Sequence, residues 1–412
     1  MVPSDEKLLL AIVLLWLWNP GTGTAQTRID TTGGRYYRPI FATVTRTQDV
    51  TYGAAPDFLG NNQNLRLDVY QPVGDTVRRR PLLVFAHGGG FVSGNRTDAE
   101  IVELCTRFAR MGYVTASIDY RLLFLPFDTV NIGRAAIRAT QDMRAAVRFF
   151  RRDAATTKAY RIHPGFIYAG GSSAGAFMAL QTGYLDKESE VPAYLGLAAL
   201  GGLEGSSGNP GYASNVQGVI NLCGALGRPW WIEAGNVPFV SLHGTADAVV
   251  PYGAGTVGSG LPPQKVYGSA VLKVRATAVG VANPLYTFKG AGHVPYSGSS
   301  AAAAAYLDTT TRFVRDFLRP LLRQPATVTA VKTSAATAPQ VFPVPATDAI
   351  RVQWPAAQLF RRQSAELLDA TGRIVRRLRW EQPELLVPRE NLPAGTYLLR
   401  TEGLASRRVV FD

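Results

Sequence analysis

Hydrophobic and polar positions alternate regularly through the middle of the chain. Continuous apolar runs of strand length, Pro81–Ala86 and Gly112–Ile118, are typical of strands buried on both faces. Apolar residues recur at helical spacing over Ala99–Arg110 and Ala135–Arg151, while the alternation in Leu65–Tyr70 predicts a half-exposed edge strand. Strands that alternate with helices predict an α/β fold, in which helices cover a mostly parallel sheet.

The pattern changes after Gln324. Residues 325–340 are rich in Ala and Thr, are bounded by proline and have no apolar period, which is typical of a linker. From residue 341 to 412, short alternating runs are separated by turn residues, as in Asp369–Gly372, and predict a small antiparallel β-sandwich. We therefore predict a main domain over residues 26–324 and a separate C-terminal β-domain.

The N-terminus predicts a signal peptide over residues 1–25. Lys7 precedes eleven apolar residues, Leu8 to Trp18, and the small residues Gly23–Ala25 follow. An apolar run of this length is too short to cross a bilayer as a helix, but it suits the core of a signal peptide. We expect an exported protein whose mature chain is not stably inserted in a membrane.

Composition narrows the chemistry. The net charge is +13, but the arginines are spread along the chain and no nucleic-acid-binding motif accompanies them. We therefore predict a solvated basic surface and no nucleic-acid partner. Cys105 and Cys223 belong to no Cys/His cluster, so we predict neither a metal site nor a cofactor. Both fit buried thiols, and a disulfide is also compatible with an oxidising compartment.

A candidate nucleophile lies between an apolar strand and a helical segment. The residues Gly171 to Gly175 read GSSAG and match the pattern G-x-S-x-G, which needs small flanks because the serine occupies a sharp, strained turn. Ser172 is the rival, but its flanks would be Gly170 and Ala174. The pattern therefore favours Ser173 as nucleophile.

A serine nucleophile needs a base, and the base needs an orienting acid. Two histidines follow Ser173, namely His243 and His293, and each comes at the end of a predicted strand. The order expected for this strand–turn–helix arrangement is serine, acid, histidine. Asp247 lies between the serine and the second histidine, in a loop after a strand. We therefore predict Asp247 as acid and His293 as base.

The rival residues fit less well. His243 precedes the proposed acid and suits a packed core residue, and His163 precedes a proline in a loop and suits a structural role. Asp119 and Asp308 are alternative acids, but neither occupies a strand end between the serine and the last histidine.

A run of glycines follows the strand Pro81–Ala86. The sequence HGGGF, from His87 to Phe91, allows backbone N–H groups to approach an oxygen on which negative charge develops. We predict an oxyanion hole formed by the N–H groups of Gly89, Gly90 and Ala174.

Hints about the substrate are few. The Gly- and Ser-rich stretch Gly201–Asn215 is placed where lids and substrate loops tend to occur. No large helical cap is indicated, which favours a short or moderately polar acyl group. Four aromatic residues are candidates for lining the site or, alternatively, for packing in the core: Trp230, Trp231, Tyr252 and Tyr296.

These motifs occur in order within residues 60–320 and resemble the carboxylesterase/lipase branch of the α/β-hydrolases; the sequence is similar to secreted acetyl-xylan and feruloyl esterases. The resemblance implies an α/β-hydrolase fold and hydrolysis of carboxylic esters, small or attached to polysaccharide, through an acyl-enzyme. A peptidase on the same fold and a catalytically silent surface-binding protein are the alternatives. The residues that carry the resemblance are 80–94, 119–122, 169–175, 243–251 and 290–293.

The C-terminal β-domain carries a second resemblance. Residues 341–348, 366–375, 392–400 and 407–410 are similar to the sorting domain of type IX secretion cargo, although Val344 stands where that family usually has Asn. The resemblance implies the type IX secretion machinery as partner, export across an outer membrane, and either cleavage of this domain or its use for surface attachment. A carbohydrate-binding or spacer domain is the alternative.

Overall fold

The computed structural model describes residues 29–124, 126–257, 262–323, 340–342, 345–353, 363–369, 373–401 and 407–412. The chain divides into two compact units, Met1–Val328 and Thr329–Asp412. The predicted signal peptide and nearly all of the predicted linker lie outside the described residues. Gln340, which we assigned to the linker, instead begins a strand of the second unit.

The described part of the first unit alternates strands and helices. Its α-helices are α1 (Ala99–Arg110), α2 (Thr129–Ala155), α3 (Ala174–Tyr184), α4 (Ser269–Ala278) and α5 (Ala301–Leu321). Its strands are β1 (Val44–Pro56), β2 (Asn62–Pro72), β3 (Arg80–Ala86), β4 (Val114–Ile118), β5 (Ile162–Ser172), β6 (Val219–Leu222), β7 (Ala225–Leu226), β8 (Phe239–Gly244), β9 (Ala254–Val257), β10 (Gln264–Gly268) and β11 (Leu285–Phe288).

Eight of these strands form one sheet in the order β1-β2-β4-β3-β5-β6-β8-β11. The strands from β4 to β11 in this order are parallel, whereas β1 and β2 run antiparallel to their neighbours. Every residue of β3, β4, β6 and β8 is buried, which explains the apolar runs that predicted β3 and β4. The predicted α/β fold with a mostly parallel sheet is confirmed.

The predicted edge strand is wrong in one respect. Strand β2 is internal, because β1, which we did not predict, occupies the edge. The alternation in β2 suggested a solvated face, but Asp68 is buried there and accepts hydrogen bonds from Arg46 and Arg96. A buried ion-pair network thus gives the same sequence pattern as an exposed face.

The two helices predicted from spacing are present. Helix α1 has the predicted bounds, and α2 extends beyond the predicted Ala135–Arg151 at both ends. The longer start of α2 is stabilised by Asp128, whose side chain accepts a hydrogen bond from the backbone N–H of Asn131. No helix within the described ranges combines the length and the apolar character needed to cross a bilayer.

A small second sheet joins β7, β10 and β9 in that order. Its strands are antiparallel to one another and lie in the chain after the carboxyl ends of β6 and β8. Sequence analysis did not predict it, because its strands have two to five residues and no clear apolar alternation.

The second unit is antiparallel, as predicted. One sheet contains β12 (Gln340–Phe342), β13 (Ala349–Gln353) and β16 (Glu384–Pro388), and the other contains β14 (Gln363–Leu368), β15 (Ile374–Trp380), β17 (Gly395–Thr401) and β18 (Arg407–Phe411). The two sheets share one hydrophobic core, to which Ile350 and Val387 contribute from the first sheet and Trp380 and Leu399 from the second.

Candidate active site

Ser173 lies at the turn between β5 and α3. Its backbone has φ 53° and ψ −117°, a conformation that is strained for any residue with a side chain. A Cβ atom on Gly175 would lie 2.1 Å from the carbonyl oxygen of Ala86, and one on Gly171 would lie 2.3 Å from the backbone of Gly175. The close approach of the turn to β3 is therefore the reason that both flanking residues are glycines.

His293 lies between Ser173 and Asp247. The Ser173 hydroxyl donates to His293 Nε2 at 2.8 Å, and His293 Nδ1 donates to Asp247 Oδ2 at 2.7 Å. The carboxylate accepts a hydrogen bond from the N–H group at Nδ1, so the lone pair of Nε2 faces the serine hydroxyl. Strands β8 and β11 are parallel neighbours, and this brings the loops that carry Asp247 and His293 to the same edge of the sheet.

The carboxylate of Asp247 is surrounded by donors. Oδ1 accepts hydrogen bonds from the backbone N–H groups of Val249 and Val250, at 2.9 and 2.8 Å. Oδ2 accepts from His293 and lies 3.2 Å from Nε2 of His243. Burial raises the pKa of Asp247, but His243, His293 and the Val250 amide outweigh burial and hold that pKa well below its usual value. Asp247 is therefore a fixed, ionised acceptor.

The glycine loop that carries two of the predicted oxyanion donors contacts Ser173 at Gly88. A Cβ atom on Gly88 would be 3.4 Å from the Cβ of Ser173, so the glycine loop packs against the serine. The carbonyl of Gly89 accepts from the N–H of Val92, which turns the loop back on itself. Within the described residues, the N–H groups of Gly89 and Gly90 donate no hydrogen bond. Ala174 is the first residue of α3, where backbone N–H groups lack an intrahelical acceptor.

Three of the rival residues lie elsewhere in the fold. His163 accepts a hydrogen bond from the backbone N–H of Gly165. Asp119 accepts from Arg96 at 2.5 Å, and Asp308 forms an ion pair with Arg107. His243, which we interpreted as a core residue, is buried as expected, but it also contacts Asp247.

Tyr296 links the loop that carries His293 to the turn at Ser173, a position that the sequence did not predict. Its hydroxyl is 2.7 Å from Oγ of Ser172, and both residues are buried. Tyr296 lies three positions after His293, so this hydrogen bond ties the base-bearing loop to the residue before Ser173.

The other aromatic candidates have different surroundings. Trp231 is buried in the core, whereas Trp230 is 54% exposed and lies against Arg228, with 5.5 Å from the guanidinium carbon to the ring centre. Tyr252 is hydrogen-bonded to the Thr287 hydroxyl at 2.8 Å. Of the four aromatic candidates, Trp230 is therefore the exposed one.

The stretch Gly201–Asn215 is held by arginines of α2. Arg144 donates to the carbonyl of Leu203 at 2.6 Å and Arg151 to that of Asn215 at 2.6 Å. Burial lowers the pKa of Arg151 to about 10. Arg148 donates to the carbonyl of Gly208. The prediction of a solvated basic surface is wrong for Arg144 and Arg148, because both are buried and donate to loop carbonyls, and Arg148 also forms an ion pair with Glu204.

Cys105 and Cys223 are buried free thiols. The Cys223 sulfur lies within 4.8 Å of one ligand atom each of Asp247 and His293, a spacing compatible with a metal ion. However, Asp247 and His293 are hydrogen-bonded to each other, and burial raises the pKa of the Cys223 thiol to about 12. A protonated thiol is a poor metal ligand, so the chemistry of this group favours a hydrogen-bonded site.

Comparison with known proteins finds similar domains in both parts of the chain. The family model described as BD-FAE matches residues 67–226, and the model described as secretion system C-terminal sorting domain matches residues 340–410. No curated protein matches the chain.

Solved structures of Thermogutta terrifontis esterase 2 have a similar fold. The form phosphorylated by paraoxon and the form phosphonylated by cyclosarin are each 22% identical to this chain with a TM-score of 0.50, and each match covers 66% of this chain and 94% of the other. The apo form is also 22% identical with a TM-score of 0.50, and covers 68% of this chain and 96% of the other.

The sorting domain indicates export followed by secretion or attachment at the cell surface. The resemblance seen in the sequence is thus confirmed in both parts of the chain. The chain combines a carboxylesterase-type α/β-hydrolase domain with a C-terminal sorting domain of type IX secretion.

Proposed function

We propose that the exported enzyme hydrolyses carboxylic esters with Ser173 as nucleophile, His293 as general base and acid, and Asp247 as the orienting acid. The observation that carries this proposal is the continuous pair of hydrogen bonds, 2.8 Å from Ser173 to His293 and 2.7 Å from His293 to Asp247. A serine hydroxyl becomes a competent nucleophile only when a positioned base accepts its proton.

In the first half-reaction, Oγ of Ser173 attacks the ester carbonyl carbon while Nε2 of His293 takes the hydroxyl proton. The tetrahedral intermediate then expels the alcohol, which leaves with that proton, and an acyl-serine remains. In the second half-reaction, water attacks the acyl-serine, His293 accepts a proton from the water, and the proton returns to Oγ as the carboxylic acid leaves. Asp247 stays ionised throughout and stabilises the imidazolium of His293.

Negative charge on the carbonyl oxygen needs donors that are already in place. The N–H groups of Gly89, Gly90 and Ala174 are proposed as these donors. Their free N–H groups and the packing of the glycine loop against Ser173 support the assignment. Loss of one such donor typically costs on the order of a hundred- to a thousandfold in rate.

The test is turnover of p-nitrophenyl acetate by the purified protein, followed as release of p-nitrophenolate. We expect saturable hydrolysis by the wild-type protein and none above background by Ser173→Ala. Absence of turnover by wild type with acetyl, butyryl and feruloyl esters would contradict the proposal and favour a binding role.

The finer proposal is that the esters are acetyl or feruloyl groups on polysaccharide. The described part of the segment between α3 and β6 contains only short 3₁₀ helices and so lacks a large helical cap, which is compatible with a polymeric substrate. A cavity of about 510 Å³ opens beside His87 of the glycine loop. Its lining combines aromatic rings with amides and two carboxylates, a mixture suited to a sugar ring: Phe58, Phe124, Tyr120, Gln63, Asn64, Asn95, Asp57 and Asp119.

A substrate panel tests this finer proposal. Acetylated and feruloylated xylo-oligosaccharides are compared with the p-nitrophenyl esters of the same acids. We expect a higher kcat/KM for the oligosaccharide esters, and a loss of that preference in Phe124→Ala. Equal kcat/KM for both series would contradict a polysaccharide substrate and leave the esterase assignment intact.

A further inference from the structure

His243 is the second histidine next to Asp247, and the reaction proposed above gives it no role. The residue is buried within β8, and its side chain is fully shielded from solvent. A buried polar side chain is stable only when its donors and acceptors are satisfied, so its partners define its protonation and its orientation.

The partners of His243 select one tautomer. Nε2 lies 3.0 Å from the carbonyl oxygen of Val250 and 3.2 Å from Oδ2 of Asp247. Both neighbours are acceptors, so Nε2 carries the proton. Nδ1 lies 2.8 Å from Oγ of Ser269, which can donate its hydroxyl proton to the ring.

The hydroxyl of Ser269 is itself oriented. Asn221 donates from Nδ2 to Ser269 Oγ at 3.1 Å and to Ser241 Oγ at 2.8 Å, and it accepts at Oδ1 from the N–H of Gly224. Because Ser269 Oγ accepts from Asn221, its own proton is available for Nδ1 of His243. A chain of buried hydrogen bonds therefore fixes the imidazole from behind.

We propose that His243 is a positioning residue for Asp247. Its Nε2 proton is shared between the carbonyl of Val250 and the carboxylate. Val250 in turn donates its N–H to Oδ1 of the same carboxylate at 2.8 Å. The ring thus holds the turn after β8 and places a positive N–H edge against the oxygen that accepts from His293.

This inference rests on the proposed function and adds to the site a buried residue that supports Asp247. The neutral ring supports the carboxylate without contributing a charge. Since His243 and His293 face the same oxygen, Oδ2, the N–H edge of His243 weakens the pull of the carboxylate on the His293 proton. Removing that edge should therefore change the pH dependence of the reaction.

Other titratable groups face this region from the surrounding elements. Cys223 follows β6 and Tyr296 follows His293, and burial raises the pKa of both side chains, so they stay neutral near pH 7. The negative charge of Glu100 on α1 also raises the pKa of Tyr296. The ring centre of Tyr252 lies 5.7 Å from that of His243. None of these side chains takes the place of the His243 donor.

The test compares His243→Leu, which removes the donor, with His243→Gln, which restores an N–H near the position of Nε2. With p-nitrophenyl acetate, we expect Leu to lower kcat by about ten- to a hundredfold, the loss expected for one donor to a charged group, with KM within about twofold. We also expect the acid limb of its kcat/KM profile to shift away from its wild-type position. Gln should recover most of kcat and return the acid limb toward wild type.

His163→Leu is the matched control, since His163 is also a buried histidine with a hydrogen-bonded Nδ1 but has no contact with Asp247 among the described residues. It should lower thermal stability and leave kcat, KM and the acid limb unchanged. A folded His243→Leu with wild-type kcat and acid limb would overturn the proposal, as would equal losses in the Leu and Gln variants.

If His243→Leu does not fold, the positioning role of His243 is tested with Ser269→Ala and His243→Gln. Ser269→Ala removes the donor to Nδ1 and should lower kcat by a few fold at constant KM, with the acid limb moved in the same direction. Wild-type values for kcat and the acid limb in Ser269→Ala would overturn the proposal. Full esterase activity in Ser173→Ala would contradict the proposed function itself, whereas the His243 and Ser269 variants test only the positioning role. The two failures can therefore be distinguished.

Discussion

Asp142 and Asp247 are two of the buried aspartates of the hydrolase domain, and their partners differ. Asp247 accepts from His293, whose side chain is 18% exposed and reaches Ser173. Asp142 on α2 accepts from Arg121 at 2.8 Å and from Ser207 at 2.5 Å. Each aspartate therefore belongs to a network with a basic group and a serine.

The difference lies in the basic group and in access to solvent. Arginine keeps its proton at all relevant pH values, so Arg121 cannot accept one from Ser207. Both Arg121 and Asp142 are buried, and Arg121 also donates to the carbonyl of Pro56 at 3.1 Å. Histidine, in contrast, exchanges a proton near neutral pH. A buried aspartate thus becomes part of a reactive site only when its partner can release and accept a proton at an open edge.

The largest expected effect comes from exchanging the two serines for alanine. Ser173→Ala should lower kcat on the order of a millionfold, as for nucleophiles of other serine hydrolases, with little change in the free energy of unfolding. Ser207→Ala should keep kcat and lower the free energy of unfolding by about 1.5–3 kcal/mol, because Asp142 loses a donor. Ester hydrolysis and urea denaturation of both variants measure the contrast.

The aspartates give the next largest difference. Asp247→Asn should lower kcat by on the order of 10⁴-fold, because the amide leaves His293 in the wrong tautomer. Asp142→Asn should lower the free energy of unfolding by about 3–5 kcal/mol, since Arg121 stays buried without its counter-charge, and should keep kcat in the folded fraction. If Asp142→Asn lost activity as Asp247→Asn does, the two networks would not be distinct.

Acid should weaken the Asp247 network in a predictable direction. Its pKa is depressed in the folded protein, so the carboxylate contributes stability above the pKa of the unfolded chain, about 3.9, and loses it as pH falls through the folded value. The free energy of unfolding of wild type, relative to Asp247→Asn, should therefore decrease as pH falls below about 4. If this difference in the free energy of unfolding stayed constant from pH 6 to pH 2, the hydrogen bonds to the Asp247 carboxylate would not stabilise the fold.

The smallest effect concerns Tyr296. Tyr296→Phe removes the hydrogen bond to Ser172 and should lower kcat by about two- to tenfold at constant KM, the range expected for one neutral hydrogen bond. Tyr184→Phe is the control, because the Tyr184 hydroxyl is also buried and donates to the carbonyl of Val237, away from the site. Equal kcat values in both variants would contradict a role of Tyr296 in positioning His293.

The fold and the arrangement of the candidate triad were predictable because their signals are local. The turn at Ser173 requires glycines on both sides, and the bounds of α1 follow from its apolar spacing. The order of serine, acid and histidine, combined with strand ends, pointed to Asp247 and His293, and these two residues lie in one hydrogen-bonded chain with Ser173.

The remaining features depend on partners that are distant in sequence. The edge position of β1 follows from pairing, and the burial of Asp68 depends on Arg46 and Arg96. The arginines of α2 bind loop carbonyls, which leave no periodic pattern in the sequence. The contact of His243 with Asp247 requires the turn after β8 to fold back, and no spacing of polar residues predicts that turn.

The most direct test of the central claim is covalent labelling of the nucleophile. The protein is incubated with paraoxon, which phosphorylates activated serines, and is then analysed by intact-mass spectrometry and peptide mapping. We predict one diethylphosphoryl group per chain, located on Ser173, with hydrolysis of p-nitrophenyl acetate lost in proportion to labelling and with no label on Ser207. A label on Ser172 or another serine, or full activity after stoichiometric labelling, would contradict the assignment of Ser173.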